Sequence, residues 1–235
     1  MRKRETTERD YHAVISSTGN QFEYLEARCR ELGFDYCATG ILLPIPVARP
    51  KIILENNYAA SWREKYKNSK YLAIDPTIPH VLYKNGPARW SDTHGCAQVF
   101  WEEAAAHDLK YGLSILVRHS KGVTGMLSIA RGHTDVGSRE LELLSPEFIR
   151  LSEIFGVKCL DQAAEDFIPE ADAKLTPREI EVLRWTADGK TAEDVANLLS
   201  ISRNTVNFHI KQASAKLNAL NKTQVVVKAL LLHLL

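Results

Sequence analysis

Trp62 and Tyr66 stand four residues apart, Asp75 is followed by Pro76, Trp90 sits in PARWS, and Ser128 interrupts the apolar run GMLSIA. A spacing of four is one helical face, so the indole and the phenol point the same way. Strand alternation puts Met126, Ser128 and Ala130 on one face, with Leu127 and Ile129 on the other. Together these side chains offer one carboxylate acceptor and several N–H and O–H donors, a set suited to holding a small polar molecule by hydrogen bonds. They do not form a catalytic constellation. The chain has no G-x-S-x-G and no H-x-x-x-H, and its eight histidines are scattered. Asp75 among aromatics reads as an acceptor rather than half of a carboxylate pair. Each residue also has a plain structural role open to it. Trp62 and Tyr66 could be a core aromatic pair, Asp75-Pro76 a turn or cap, and Ser128 a strand hydroxyl bonded to backbone.

A second group lies in SISRNTVNFHIKQASAKL, residues 200–217. At the helical repeat, Val206, Ile210, Ala213 and Leu217 fall within about 60° of one another and form an apolar seam. Asn204, Asn207, Lys211 and Asn218 share a different, outward stripe. Asparagine is a poor helix former, so a stripe rich in it asks for a purpose. Its amide can pair bidentately with adenine, and lysine reaches guanine acceptors or phosphate. TAEDVANLL upstream is a short helix capped by Thr191, and SIS is a three-residue turn. Helix, short turn and helix describe a helix-turn-helix whose second helix enters the DNA major groove. Lys190, Thr191 and Thr205 sit at helix N-termini, where hydroxyls and backbone N–H groups favour phosphate. The alternative at this level is an ordinary amphipathic helix whose polar face includes asparagines.

The elements that must position these groups fall into two parts. With 45% hydrophobic and 25% charged residues the chain reads as globular rather than disordered. No apolar stretch approaches the ~18 residues of a membrane span, and the start MRKRETTERDYH lacks a signal-peptide core. Cys29, Cys37, Cys96 and Cys159 are widely spaced and read as thiols in a reducing cytoplasm, without a metal site. The net charge of +1 conceals a split. Residues 174–235 carry nine Lys/Arg against five Asp/Glu, which leaves 21 of the 30 bases and 24 of the 29 acids to residues 1–173. A basic end on a mildly acidic body points to a polyanion partner for the smaller part.

Residues 6–32 are helical in pattern and closed by Gly33. FDYCATGILL and PKIILEN read as strands around a proline-rich loop, while NYAASWREKYKNSKY and AQVFWEEAAAHDL read as helices. YGLSILVRH and VTGMLSIAR flank Ser120-Lys121-Gly122 as a hairpin. Residues 138–165 give a long helical pattern that Pro146 should interrupt or kink. Periodicity lapses around Pro169. Beyond it LTPREIEVLRWTADG has Thr176 as N-cap, Pro177 in the first turn and Gly189 past the end, and TQVVVKALLLHLL closes the chain as a helix. The division expected is residues 1–165, a linker at 166–174, and residues 175–235.

Two stretches carry a family resemblance. Residues 175–229 closely resemble the C-terminal DNA-binding domain of LuxR-type transcription regulators, through Glu179, Leu183, Gly189, Lys190-Thr191, Ile201-Ser202 and Thr205-Val206-Asn207-Phe208-His209. Asn57, Tyr58, Trp62 and Tyr66, spaced N-Y-x-x-x-W-x-x-x-Y, with Asp75-Pro76, Trp90 and Gly112, resemble the autoinducer-binding domain of the same quorum-sensing receptors. That resemblance implies an α+β protein. An N-terminal α/β/α sandwich around an antiparallel sheet would enclose an N-acyl-homoserine lactone, ahead of a C-terminal all-α, four-helix helix-turn-helix domain. By position, the Trp62 indole N–H would donate to the lactone carbonyl, and Asp75 would accept from the ligand amide N–H. Tyr58 and Ser128 would donate to the amide carbonyl, with Tyr66 and Trp90 packed against the ligand. The acyl chain would lie among Ala38, Gly40, Leu42, Ile52, Leu54, Ile78 and Met126, each equally open to being plain core. DNA contacts would come from Lys190, Thr191, Asn204, Thr205, Asn207 and Lys211, with 207 and 211 reading bases. The implied partners are the lactone, inverted-repeat double-stranded DNA and a second copy of the chain, with RNA polymerase as a further one. No other cofactor, metal or membrane is implied. A regulator of the same type answering a different small molecule, or none, is the alternative.

Overall fold

Helix α1 (Asn20–Glu31) ends where the sequence supplies a glycine. Gly33 takes φ +85°, and the Phe34 N–H reaches back to Cys29 O at 3.1 Å, closing the helix in a Schellman motif. The structure, a computed structural model, describes residues 12–14 and 20–235. Ahead of α1 it corrects the helical expectation for residues 6–32, because His12–Val14 is a strand, β1, running parallel to β3 (Lys51–Asn56). An open sheet edge offers unpaired N–H and C=O groups, and saturating them outweighs local helical periodicity. Residues 6–11 and 15–19 of that stretch lie outside the described residues.

The sheet has six strands in the order β1-β3-β2-β6-β5-β4, with β2 (Tyr36–Leu42), β4 (Ala88–Arg89), β5 (Tyr111–Arg118) and β6 (Thr124–Arg131). Every pairing except β1 with β3 is antiparallel. The hairpin expected around residues 120–122 joins β5 to β6, and its register sets Ser114 opposite Ser128 and Leu116 opposite Met126. Across β2 the same rows continue, with Ala38 beside Ser128 and Gly40 beside Met126.

Alternation gives the sheet two unlike faces. Cys37, Ile41, Leu113, Ile115, Leu127 and Ile129 bury against α1, α5 (Ser138–Phe155) and α6 (Asp161–Phe167), joined by Phe34, Phe148 and Phe155. Each such side chain contributes roughly 1.5–3 kcal/mol by leaving water. The other face is covered by α2 (Ala60–Asn68), α3 (Thr77–Leu82) and α4 (Gln98–Ala105). There Trp62, Tyr71, Trp90, Phe100 and Trp101 form an aromatic layer over Ala130. Helices on both faces make the expected sandwich. Pro146 does not break α5. Ser145 Oγ donates to Leu141 O at 2.6 Å in the turn where the proline lacks an N–H, and the departure comes later, at the π-helical turn Gly156–Leu160.

After a 3-10 turn at Pro169–Asp172, four helices follow: α7 (Pro177–Ala187), α8 (Ala192–Leu199), α9 (Arg203–Lys216) and α10 (Lys222–Leu231). They share their own core of Val182, Leu183, Val195, Val206, Ile210, Ala213, Leu217 and Val225. This unit docks on the first. Leu232 buries in the sheet-side core, and Lys228 ties Glu170 of the 3-10 turn, at 2.8 Å, to the end of α9 through the Leu217 and Asn218 carbonyls at 2.9 Å. At the hairpin tip Gly122, with φ +76°, faces Leu231 O so closely that a Cβ would lie 1.9 Å from it. Among the described residues no helix is long and apolar enough to cross a membrane.

Candidate functional site

The aromatic-covered sheet face carries the expected binding residues in rows. Asn56, Ala38, Ser128 and Ser114 cross four strands, and Leu54, Gly40, Met126 and Leu116 form the next row. Ile52 and Leu42 follow, beside Thr124. Six of the expected acyl-chain residues, Ala38, Gly40, Leu42, Ile52, Leu54 and Met126, thus share one face, and Ile78 comes from α3. Leu42, at the outer end, is 39% exposed and is not enclosed; the others are half-buried.

Over this face, α2 turns Trp62 inward, where it meets Tyr66 and Phe100 edge-on at centroid distances of 5.9 and 5.8 Å. The chain then reverses at Lys70, which takes φ 53°, and passes through the 3-10 turn Tyr71–Ala73. That reversal returns Asp75 to α2, and the Tyr66 hydroxyl donates to Asp75 Oδ2 at 2.9 Å. Thr77 donates to Oδ1 through its N–H at 2.9 Å and its hydroxyl at 2.6 Å. The turn role of Asp75 and the packing of Trp62 on Tyr66 are therefore both real, and Tyr66 with Thr77 orients the carboxylate. Burial pushes the Asp75 carboxyl above its ordinary value, and the bonds from Thr77 and Tyr66 offset this only in part. Burial, then the Asp75 charge, hold the Tyr66 hydroxyl well up; burial, then Cys37 and Asp75, do the same for Tyr58. Both phenols keep their protons and remain donors. Among the described residues neither the Tyr58 hydroxyl nor the Trp62 indole N–H has a hydrogen-bond partner.

Trp90, expected to pack against the ligand, also has a polar role in the structure. It is buried, and its indole N–H points into the sheet, donating to Ser114 Oγ at 2.8 Å, which lies 2.7 Å from Ser128 Oγ. The ring packs across Gly112, where a Cβ would come within 2.9 Å of the indole and 2.5 Å of Ile129 O. Ser114, Thr77, Tyr71, Phe100 and Trp101 were missed in the sequence. Thr77 could have been found from the D-P-T turn pattern, and Ser114 by counting the hairpin register back from its turn.

The second site is built by caps. Thr191 and Asp194 form a capping box on α8, Ser200 turns the chain at φ 53°, and Ser202 Oγ accepts from the Thr205 N–H at 3.0 Å to start α9. The Thr191 and Thr205 hydroxyls are thereby bonded within their own caps, to Asp194 and Ser202. Val206, Ile210, Ala213 and Leu217 are buried, while Asn204, Asn207, Lys211 and Asn218 are exposed along one side. Thr205 is half-buried and Lys190 exposed. Glu179 braces the far end of α9. Its carboxylate, buried to 3% exposure, takes the Thr176 N–H at 2.8 Å and Lys216 Nζ at 2.7 Å. Burial raises this carboxyl, but Lys216 and Thr176 outweigh it and hold the pKa low.

Residues 17–155 match the autoinducer binding domain family, and residues 173–229 match the family described as bacterial regulatory proteins, luxR family. The transcriptional activator protein AnoR of Acinetobacter nosocomialis is 33% identical over 225 residues, 94% of each chain. The HTH-type quorum-sensing regulator RhlR of Pseudomonas aeruginosa is 35% identical over 222 residues, 94% of this chain and 92% of that one. A crystal structure of Escherichia coli SdiA superposes with a TM-score of 0.73 at 34% identity, covering 91% of this chain and 90% of SdiA. SdiA in complex with octanoyl-rac-glycerol gives 0.73 at 33% identity, covering 90% and 87%.

Proposed function

The chain belongs to the luxR family of bacterial regulatory proteins, as an autoinducer-binding transcription regulator rather than an enzyme, and from that premise we propose that its ligand is an N-acyl-homoserine lactone. The observation that carries this is Asp75, a half-buried carboxylate that can only accept, held by Tyr66 and Thr77 among hydroxyl and indole groups that can donate. The lactone head has one N–H donor and two carbonyl acceptors. A buried polar group left unmatched costs about 1–3 kcal/mol, so one acceptor and several donors are what the head requires. Asp75 accepts the amide N–H, Ser128 and Tyr58 donate to the amide carbonyl, and Trp62 donates to the lactone carbonyl. The acyl chain runs over the apolar rows of Ala38, Gly40, Leu54 and Met126.

Ligand that binds only the folded first domain stabilises it, by about 2.7 kcal/mol at one hundred times Kd. The liganded protein pairs as a homodimer in the cytoplasm, beside RNA polymerase, and sets two α9 helices on an inverted repeat with half-sites ~10 bp apart. Asn207 and Lys211 read bases there, Asn204 flanks them, and Lys190 with the α8 and α9 N-terminal turns at Thr191 and Thr205 grips phosphate. Residues 1–165 and 175–235 act as the two working units, joined by 166–174. Gel retardation with an inverted-repeat duplex tests this. Lactone-dependent complexes containing two chains are expected, and equal retardation without lactone would contradict it.

A second reading draws support from the SdiA complex: an acylglycerol as ligand. Its hydroxyl would donate to Asp75 in place of the amide. Comparing octanoyl-homoserine lactone with octanoyl glycerol in the same retardation assay separates the two.

A further inference from the structure

We infer that Ser114 is the positioning residue that makes Ser128 a donor toward the ligand, with the Trp90 indole setting the direction of the hydrogen-bond chain. This rests on the lactone assignment above. An indole N–H can only donate, so Ser114 Oγ accepts the 2.8 Å bond from Trp90. Ser114 and Ser128 are 1% and 3% exposed, and their hydroxyl oxygens lie 2.7 Å apart. The bond between them has two orientations. Either orientation leaves one hydroxyl hydrogen over. If Ser128 donated, it would be the one on Ser114, which is 1% exposed beneath the Trp90 indole and has no acceptor among the described residues, whereas one on Ser128 can be taken by a bound ligand's carbonyl. With Ser114 donating to Ser128, the Trp90 and Ser114 donors of this three-residue relay are both satisfied. The single hydrogen left over is on Ser128, on the sheet face shared with Ala38 and Met126.

Ser128 therefore meets a carbonyl well and an N–H badly. Ionised Asp75 has the opposite preference, since it can only accept. The two poles fix which way round a ligand amide lies, and Ser114, which need not touch the ligand, decides one of them. Mutual polarisation along the chain strengthens its terminal donor. Gly112 belongs to the same device, because only a residue without a Cβ lets the Trp90 ring lie where its N–H reaches Ser114.

The test is a double-mutant cycle on the affinity of the full chain for N-octanoyl-homoserine lactone. Ser114→Ala is expected to weaken binding roughly fivefold to tenfold when residue 128 is serine, and less than about twofold in the Ser128→Ala background. Ser114→Thr, which keeps the hydroxyl, should restore binding. If Ser114→Ala does not fold, Ser114→Cys, a weak donor, takes its place in the cycle. An independent readout needs no ligand: the Trp90 indole N–H should exchange faster in Ser114→Ala and at the parental rate in Ser114→Thr. Equal losses in both backgrounds, or an unchanged indole, would mean Ser114 only fills space and would overturn the relay while leaving lactone binding intact. Absence of lactone binding by the parent protein would overturn the ligand assignment and this orienting role with it.

Discussion

The Tyr66 hydroxyl donates to Asp75 Oδ2 at 2.9 Å, while Thr77 occupies Oδ1 twice. A carboxylate has about four acceptor positions, so one remains, on the oxygen that Tyr66 already orients. Asp75→Ala removes that position and strands the Tyr66 and Thr77 donors. Lactone affinity should fall roughly tenfold to a hundredfold, as measured by calorimetric titration.

Acid should act on the same group in two opposed ways. Burial raises the Asp75 pKa above its unfolded value, so the folded state holds this proton more tightly. Its stabilising effect is then full below the ordinary value of 3.8 and is lost as the pH rises through the raised folded value. Without ligand at pH 7, Asp75→Asn should melt above the parent, with the gap closing on acidification. Lactone affinity should do the reverse and drop as acid protonates the acceptor. Melting curves and titrations across pH 4–8, a range chosen at about the carboxylate and neutral values, check both signs.

Asn207→Ala should relax preference at one base pair per half-site, by about 1–3 kcal/mol, whereas Lys190→Ala should weaken every site alike and lower the salt slope by about one. Competition among operator variants at two salt concentrations separates them.

Gly122→Ala should loosen the contact between the β5–β6 hairpin and α10, since its Cβ would sit 1.9 Å from Leu231 O at a positive φ. A loss of roughly 1–3 kcal/mol is expected, with faster hydrogen exchange in α10 than in α8.

What the sequence disclosed followed from local rules. The caps at Thr176 and Thr191 were legible because a hydroxyl three residues before a carboxylate is a local signature. The buried and exposed stripes of α9 were legible because one helical period carries both. Non-local pairing was not. Residues 12–14 form a strand only because the β3 edge, far along the chain, needs a partner. The Trp90 N–H finds Ser114 across 24 residues, so its bond escaped a reading that gave Trp90 a packing role. Pro146 pointed to a break or a kink; α5 runs unbroken through it, held by the packing of Phe148, Leu151 and Phe155.

Thermal melting of the full chain with increasing N-octanoyl-homoserine lactone, for the parent and Asp75→Ala, bears most directly on the ligand pocket. A melting temperature that climbs with the logarithm of lactone concentration in the parent, with Asp75→Ala needing roughly tenfold to a hundredfold more lactone for the same shift, is expected. No shift in the parent, or the same shift in both proteins, would contradict it.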